Sequence, residues 1–145
     1  MRSAASPNRF CQPLAMPEPA DLVATMPHAV ELGVVIQVAT AEAVEATMPW
    51  AERHTTLGGA LHGGALMAFA DSLGAVCAFL NLPEGAGTST IESKTNFLRG
   101  VTAGTVRAST RPIHVGRRTI VVQTELRDDA GKLVALTTQT QAVLT

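Results

Sequence analysis

The hydrophobic positions follow two different patterns, and the change falls near residue 87. Between Gly63 and Leu82 the chain reads GGALMAFADSLGAVCAFLNL, with one charge in 20 residues. Apolar residues on nearly every face predict a buried helix that begins after His62 and ends near Asn81. From Thr88 onward, segments rich in Thr, Val and Ile alternate with short turns, which is typical of strands. We predict four strands there, at Thr88–Leu98, Thr105–His114, Thr119–Arg127 and Leu133–Leu144.

Two further strands are predicted before the helix. The segment from Leu32 to Ala41 is rich in β-branched residues, and Ala43–Pro49 has the composition of its return partner. A short helix is expected over Pro19–Met26, because Pro27 stops it. Connections this short force neighbouring strands to run antiparallel, since a parallel crossover needs about a dozen residues or more.

These elements predict an α+β domain, an antiparallel sheet of about six strands wrapped around one long central helix. A helix that is apolar on nearly every face must be covered all round. One curled sheet covers one side, so the other side needs a second layer, most simply a second copy of the chain. We therefore expect a homo-oligomer, either a dimer or a dimer of dimers. We assign residues 1–18 to a flexible N-terminal leader and residues 19–145 to this single domain.

Composition narrows the class of function. The chain has 145 residues, 46% of them hydrophobic, and a net charge of −1, as expected for one globular domain. Aromatic residues make up only 3%, which argues against a nucleic-acid partner bound by base stacking. Two cysteines give neither a disulfide framework nor zinc-ligand spacing, so we expect a cytoplasmic protein without a metal site.

The apolar segment after Gly63 also raises the possibility of a membrane span, because about 20 apolar residues suffice to cross a bilayer. Asp71 lies near the middle of the segment, which is costly in lipid, and no basic cluster flanks either end. We therefore predict a buried helix and no membrane partner.

The charges are divided unequally along the chain. Residues 1–93 hold nine acidic and three basic residues, whereas residues 94–145 hold eight basic and three acidic residues. Such a division is typical of a chain whose basic half binds an anion. Paired charges on neighbouring strands would give the same counts, so both interpretations stay open at this point.

Candidate chemistry lies at the start of the helix and two turns further along it. Paired glycines, Gly63 and Gly64, follow His62 and let a ligand approach the backbone closely. The unpaired N–H groups of a first helical turn suit a carbonyl oxygen that becomes an oxyanion during acyl transfer. Asp71, set among apolar neighbours, is costly to bury without a partner or a purpose. The alternatives are an ordinary tight turn at the glycines and a structural carboxylate paired with Lys94 or an arginine.

Helix geometry separates these groups within one chain. Asp71 follows Gly63 by eight positions, which is about 12 Å at the standard rise. One carbonyl group cannot reach both from the same chain. If two helices pack antiparallel across a dimer axis, Gly63 of one subunit faces Asp71 of the other, and two equivalent sites result.

The chain resembles the hotdog-fold acyl-CoA thioesterases, and within them the phenylacetate-degradation (PaaI) type. Four segments carry the resemblance: HGGALMAFADSLGAVCA, TSTIESKTNFLRG, HVGRRT and the ending DDAGKLVALTTQTQAVL. They extend over nearly the whole chain after the leader, from about Met26 to Leu144. The resemblance implies hydrolysis of a short-chain or aryl acyl-CoA, with no cofactor beyond the CoA of the substrate.

The same resemblance implies roles for particular residues. Gly63 matches the residue whose backbone N–H polarises the thioester carbonyl. Asp71 matches the general base or nucleophile that comes from the opposite subunit, and His62 matches the histidine that positions the loop. Substrate-binding positions, including arginines for the CoA phosphates, are implied at Thr56, Gly64, Ala75, Thr90, Phe97, Leu98, Arg99, Gly100, His114, Val115, Gly116, Arg117, Arg118 and Thr119.

Two of these positions depart from the family pattern. Thr56 stands where relatives often carry Asn or Gln to hold the substrate or water, and Ala75 stands where they often carry Ser or Thr to orient water. A non-catalytic acyl-CoA or small-ligand binding module on the same fold is therefore the alternative. A hydratase fits less well, because its paired Asp and His signature is not evident.

Overall fold

The computed structural model describes residues 17–145, so residues 1–16 of the predicted leader lie outside the described residues. Within residues 17–145 the helices are α1 Pro19–Ala24, α2 Pro27–Glu31 and α3 Gly63–Phe79, and the strands are β1 Val35–Ala39, β2 Val44–Pro49, β3 Gly87–Phe97, β4 Thr105–Val115, β5 Thr119–Arg127 and β6 Leu133–Leu144. Two short 3₁₀ turns, Glu52–His54 and Leu57–Gly59, lead into α3. The predicted long helix and six strands are confirmed, with most ends within two residues of the prediction.

The largest difference from the predicted elements lies at residues 27–34. The strand predicted from Leu32 begins only at Val35, and the residues before it form α2. Pro27 occupies the first turn of α2, where its fixed φ favours a helix and its missing N–H costs nothing. The proline that ends α1 therefore also starts α2, a second effect that the sequence analysis missed.

The six strands form one antiparallel sheet in the order β1-β2-β4-β5-β6-β3. Strand β3 pairs with β6 at one edge of the sheet, so it is not a neighbour of β4 although a short link joins them. This order leaves one edge of β3 unpaired. The helix α3 lies across the concave face, and the arrangement is the hotdog fold that the resemblance implies.

The core forms where α3 meets the inner faces of the strands. Phe69 and Leu73 of α3 are fully buried, together with Ile120, Val122 and Leu126 of β5. Burial alternates along β5, as expected for a strand with one face on the core. This alternation fixes which side chains of the sheet can reach the helix.

One side of α3 is not covered by the sheet. Met67 and Phe79 are 37% and 50% exposed, and Asp71 and Ala75 between them are partly exposed. These residues recur at intervals of three or four, so they form one stripe along the helix. The uncovered stripe lies beside β3, the edge strand, whose side chains are mostly exposed. In residues 17–145 no helix is long and apolar enough to cross a membrane.

Cys77 is fully buried in α3, and burial raises the pKa of its thiol to about 11. Only the thiolate reacts rapidly with alkylating reagents. Relative to a thiol at the ordinary value of 9.0, the thiolate fraction at pH 8 falls about a hundredfold.

We expect Cys77 to resist alkylation in the native protein at pH 8 and to react at an ordinary rate once the protein is unfolded. The measurement is peptide mapping by mass spectrometry on the Cys11→Ser variant, whose remaining thiol is Cys77. Rapid labelling of folded protein would contradict the burial described here.

Candidate active site

The first turn of α3 carries one open hydrogen-bond donor. His62 is the N-cap, and its Nδ1 accepts a hydrogen bond from the N–H of Gly64 at 2.8 Å. The carbonyl of His62 accepts from the N–H of Ala65 at 2.9 Å. In the described part of the chain, the N–H of Gly63 has no hydrogen-bond partner and no earlier helical residue to bond. His62 therefore shapes the turn, and Gly63 presents the free N–H.

Four of the predicted substrate-binding positions surround this donor. Phe97 lies against Gly63, since a Cβ added to the glycine would come within 3.1 Å of the Phe97 ring. A cavity of about 370 Å³ is lined by Leu61, Gly63, Leu66, Phe97, Leu98, Arg99 and Gly100. The structure thus brings the end of β3 and the link after it to the start of α3.

Asp71 is held by two neutral donors on neighbouring strands. Its Oδ1 accepts a hydrogen bond from Thr90 Oγ1 at 3.1 Å and another from Gln139 Nε2 at 3.0 Å. Across residues 17–145, Oδ2 has no hydrogen-bond or ion-pair partner. The carboxylate is only partly buried, and one of its oxygens remains open.

The alternative in which Asp71 pairs with Lys94 or an arginine is wrong for the described chain. Lys94 Nζ instead donates to Asn96 Oδ1 at 2.7 Å, on the exposed side of β3. Side chains alternate between the two faces of a strand. Lys94 and Thr90 are four residues apart, so a regular strand would place both on the same face. The register of β3 shifts between Thr90 and Glu92, so this alternation does not apply across the shift.

Gln139, which the sequence analysis did not single out, completes the support of Asp71. It is fully buried on β6, and a Cβ on Gly74 would collide with its side-chain amide. Gln141, two residues along β6 and also fully buried, donates from Nε2 to Thr90 Oγ1 at 2.9 Å. The sequence did contain a signal for Gln139: glutamines occupy inward positions of the strand predicted over 133–144, and a buried amide needs a hydrogen-bond partner.

The Asp71 carboxylate and the Gly63 N–H open into different cavities of one chain. The cavity at Asp71 has about 320 Å³ and is lined by Met67, Ala68, Asp71, Thr90 and Ser93. The spacing along α3 keeps the two groups about 12 Å apart. A single chain therefore does not assemble them into one site.

The second predicted CoA-binding segment, His114–Thr119, lies at the opposite end of the sheet from Arg99. In the register of β3 and β6, Phe97 is paired with Ala135, whereas Gly87 is paired with Leu144. Thr119 is paired with Ala142, at the Gly87 end. One chain therefore does not bring the two segments together.

The basic residues divide into paired and unpaired groups. Arg107 and Arg127 form ion pairs with Asp129 and Glu125, at 3.9 and 2.6 Å. The arginines at the predicted CoA positions, Arg99, Arg117 and Arg118, form none within residues 17–145. Paired strand charges thus account for part of the basic half, and the rest is available to an anion.

The two positions that depart from the family pattern lie apart. Thr56 belongs to the loop before α3, where its N–H donates to the carbonyl of Ala60 at 2.8 Å. Ala75 lines an apolar cavity on the other side of Asp71. In the described chain, no three His, Cys, Asp or Glu side chains cluster as metal ligands would.

Comparisons with known proteins identify the family. A family model described as the thioesterase superfamily matches residues 58–135. The 1,4-dihydroxy-2-naphthoyl-CoA hydrolase of Escherichia coli is 35% identical over 103 residues, which cover 71% of this chain and 76% of that protein. The proofreading thioesterase EntH of Cronobacter sakazakii is 31% identical over 113 residues, covering 78% and 82%.

Solved structures agree with the sequence comparisons. A thioesterase from Haemophilus influenzae superposes with a TM-score of 0.84 at 30% identity, covering 90% of this chain and 92% of that chain. A mutant thioesterase from Pseudomonas aeruginosa gives a TM-score of 0.84 at 32% identity, covering 90% and 96%. The chain belongs to the thioesterase superfamily. It is a thioester hydrolase with the hotdog fold, as the resemblance implied.

The contact between Gln139 and Asp71 can be tested directly. Gln139→Met removes the donor and roughly keeps the side-chain volume, so we expect kcat for thioester hydrolysis to fall about tenfold to a hundredfold with little change in KM. A hydrogen bond to a charged group is worth roughly 1.5–3 kcal/mol, which corresponds to this range.

The matched control is Gln123→Met, because Gln123 is a half-buried amide on β5 that donates to Thr138 Oγ1 at 3.3 Å. Steady-state kinetics on both variants, with thermal unfolding to verify folding, make the measurement. Equal losses in the two variants would show that Gln139 has no particular role at Asp71.

Proposed function

We propose that this protein hydrolyses a short-chain or aryl acyl-CoA thioester to the free acid and CoA. The proposal is carried by the Asp71 carboxylate, which in residues 17–145 has one oxygen held and the other open, in a chain of this family whose Gly63 N–H is also unpaired among those residues. The E. coli and C. sakazakii relatives are named as a CoA-thioester hydrolase and a thioesterase. The resemblance to the phenylacetate-degradation type supports an aryl acyl group.

The active form in this proposal is a homodimer, and a pairing of the helices and the matching pairing of the edge strands place its axis at the same point. If Gly63 of one α3 faces Asp71 of the other, the two-fold axis passes near Met67, midway between them. If Phe97 of one β3 faces Thr90 of the other, the axis passes near Ser93. Met67 and Ser93 line the same cavity, so one axis satisfies both pairings.

Both surfaces that such a dimer covers are unpartnered in the single chain. The stripe of α3 around Met67 is exposed, and β3 presents an unpaired edge 11 residues long. An exposed strand edge of this length favours pairing with another strand. Antiparallel pairing of two β3 strands would also bring Arg99 to the same end of the joined sheet as Arg117 and Arg118 of the partner subunit.

The chemistry follows from the two groups that meet at the axis. The thioester carbonyl accepts a hydrogen bond from the Gly63 N–H of one subunit, which stabilises the negative charge that develops on its oxygen. Asp71 Oδ2 of the other subunit takes a proton from water as the water oxygen attacks the carbonyl carbon, or attacks that carbon itself.

The intermediate then collapses and the carbon–sulfur bond breaks, so that the sulfur leaves as a thiolate. If water attacked, the free acid is released and the proton held by Asp71 passes to the thiolate. If Asp71 attacked, the acyl group remains on Asp71 as a mixed anhydride, which water hydrolyses to the free acid and the Asp71 carboxylate, and the proton released from that water protonates the thiolate. A thiol has a pKa of about 8.5, so its thiolate departs without strong acid assistance. The proposal therefore includes no cofactor, and CoA enters only as part of the substrate.

A panel of acyl-CoA thioesters with a thiol-trapping reagent tests the activity. We expect the wild type to release CoA from at least one aryl or short-chain thioester, and Asp71→Asn to lose most of that activity, because the amide cannot act as a base. Absence of turnover across the whole panel, or full activity in Asp71→Asn, would reject the proposal.

The Gly63 donor is tested by a pair of substitutions at one position. Gly63→Pro removes the N–H, and proline is well tolerated at the first position of a helix. Gly63→Ala keeps the N–H and adds a Cβ that approaches the Phe97 ring. We expect kcat to fall about a hundredfold to a thousandfold in the proline variant, the usual cost of an oxyanion donor, and much less in the alanine variant. Similar losses in both would point to crowding by Phe97 instead.

Mixing two inactive variants tests the cross-subunit site. In a heterodimer of Gly63→Pro and Asp71→Asn chains, one site carries both defects and the other carries none. After unfolding and refolding an equal mixture, we expect about a quarter of the wild-type activity, because half of the dimers are mixed and each has one intact site. Activity that stays at the level of the separate variants would place both groups in one chain.

A further inference from the structure

An apolar cavity lies one helical turn beyond Asp71, on the side away from Gly63. It has a volume of about 420 Å³, within the range of roughly 300–1,000 Å³ that is usual for small-molecule sites. Its walls come from three parts of the chain: the α1 region with Leu22, Thr25 and Met26, α3 with Ala75, Val76 and Phe79, and β3 with Thr88.

The cavity lies close to the carboxylate along both the helix and the edge strand. Ala75 follows Asp71 by four residues on the same face of α3, which is about 6 Å along the helix. Thr88 precedes Thr90 by two residues on β3, a distance of roughly 6–7 Å along the strand. Asp71 is bonded to Thr90, and Ala75 and Thr88 both line the cavity. The helix and the strand therefore both lead from the reacting group into the same space.

The lining offers little to a polar ligand. Thr25 Oγ1 already donates to the carbonyl of Leu22 at 2.7 Å, and Thr88 Oγ1 to the carbonyl of Ala142 at 2.9 Å. Among residues 17–145, Asp21 is the one charged residue of the lining, and it is exposed. A second carboxylate on a ligand would lose its hydration among apolar walls and meet the negative charge of Asp21.

We propose that this cavity binds the acyl group of the substrate, and that it selects an uncharged apolar acyl group long enough to cross one helical turn. This inference rests on the proposed thioesterase function. An acetyl group is too short to enter the cavity from Asp71, whereas an aryl ring or a chain of about six carbons or more reaches it. Among the thioesters proposed above the cavity thus favours the aryl groups, and among straight chains it favours medium-length over short ones.

The wild-type substrate profile gives the first test. We expect kcat/KM to rise about fourfold for each methylene that enters the cavity, so that octanoyl-CoA exceeds butyryl-CoA by more than tenfold. Adipoyl-CoA, which has the length of hexanoyl-CoA and a terminal carboxylate, is expected to be at least tenfold poorer than hexanoyl-CoA. A flat dependence on length, or equal rates for the last two thioesters, would overturn the inference.

A pair of neighbouring substitutions links the profile to this cavity. Thr25→Trp places a large side chain in the cavity wall, and Ala24→Trp places the same side chain on an exposed residue outside it. We expect Thr25→Trp to lower kcat/KM for octanoyl-CoA at least tenfold more than for butyryl-CoA, whereas Ala24→Trp preserves the wild-type ratio. Thermal unfolding verifies that both variants are folded. A wild-type ratio of kcat/KM for the two thioesters in Thr25→Trp would then contradict the assignment.

Direct binding separates this inference from the proposed function. If the wild type cleaves none of the thioesters, the thioesterase proposal fails, and the cavity is judged by calorimetric titration with octanoate. Binding of octanoate that is weakened at least tenfold by Thr25→Trp and retained in Ala24→Trp would support the cavity on its own. Absence of binding, or equal binding by both variants, would reject it.

Discussion

The structure depends on how an almost wholly apolar helix is covered. The sheet curls around α3 and buries Phe69 and Leu73, but it covers only one side, because a single sheet has only one concave face. The stripe that stays open contains the chemistry of the chain, with Asp71 near its middle and an apolar cavity beyond Ala75. The same incomplete burial that leaves apolar surface exposed therefore keeps Asp71 accessible, and the second subunit of the proposed dimer would cover this surface.

A small polar layer beneath the helix decides how Asp71 can act. Gly74 lacks a side chain, so the buried amide of Gln139 fits under α3 and reaches the carboxylate. Thr90 binds the same oxygen from the edge strand, and Gln141 in turn donates to Thr90. These neutral donors hold the carboxylate in place and leave its negative charge uncompensated. An ion pair with an arginine or lysine would compensate that charge. The second oxygen has no partner within residues 17–145, which is the state that the proposed hydrolysis requires.

The arginines of the chain fall into two groups, those in ion pairs and those without an acidic partner in the described chain. Ion pairs on the outside of the sheet use Arg107 and Arg127, while Arg99 at one end and Arg117 and Arg118 at the other form none within the described chain. The apolar cavity has Asp21 as the only charged residue that the described chain places at its edge. An acyl-CoA has the complementary form, with an anionic nucleotide at one end and an acyl group at the other.

Much of the fold could be predicted because it depends on local patterns. The unbroken apolar segment after His62 and the alternating strands after residue 87 specify their own secondary structure, and His62-Gly63-Gly64 with Asp71 marks the candidate site. Two features escaped prediction. The helix at 27–31 was not predicted because Pro27 both ends α1 and starts α2. The pairing of β3 with β6 was not predicted because strand order depends on contacts between residues distant in sequence.

The sequence by itself determined the elements, the apolar character of α3 and the identity of the glycine and carboxylate. Only the tertiary structure decided that Gln139, 68 residues from Asp71, would be its partner, and that Lys94 would not. The physical reason is that a hydrogen bond depends on distance and direction in space. The packing of α3 against β6 and the absence of a Cβ at Gly74 create that geometry, and no local pattern in the chain specifies it.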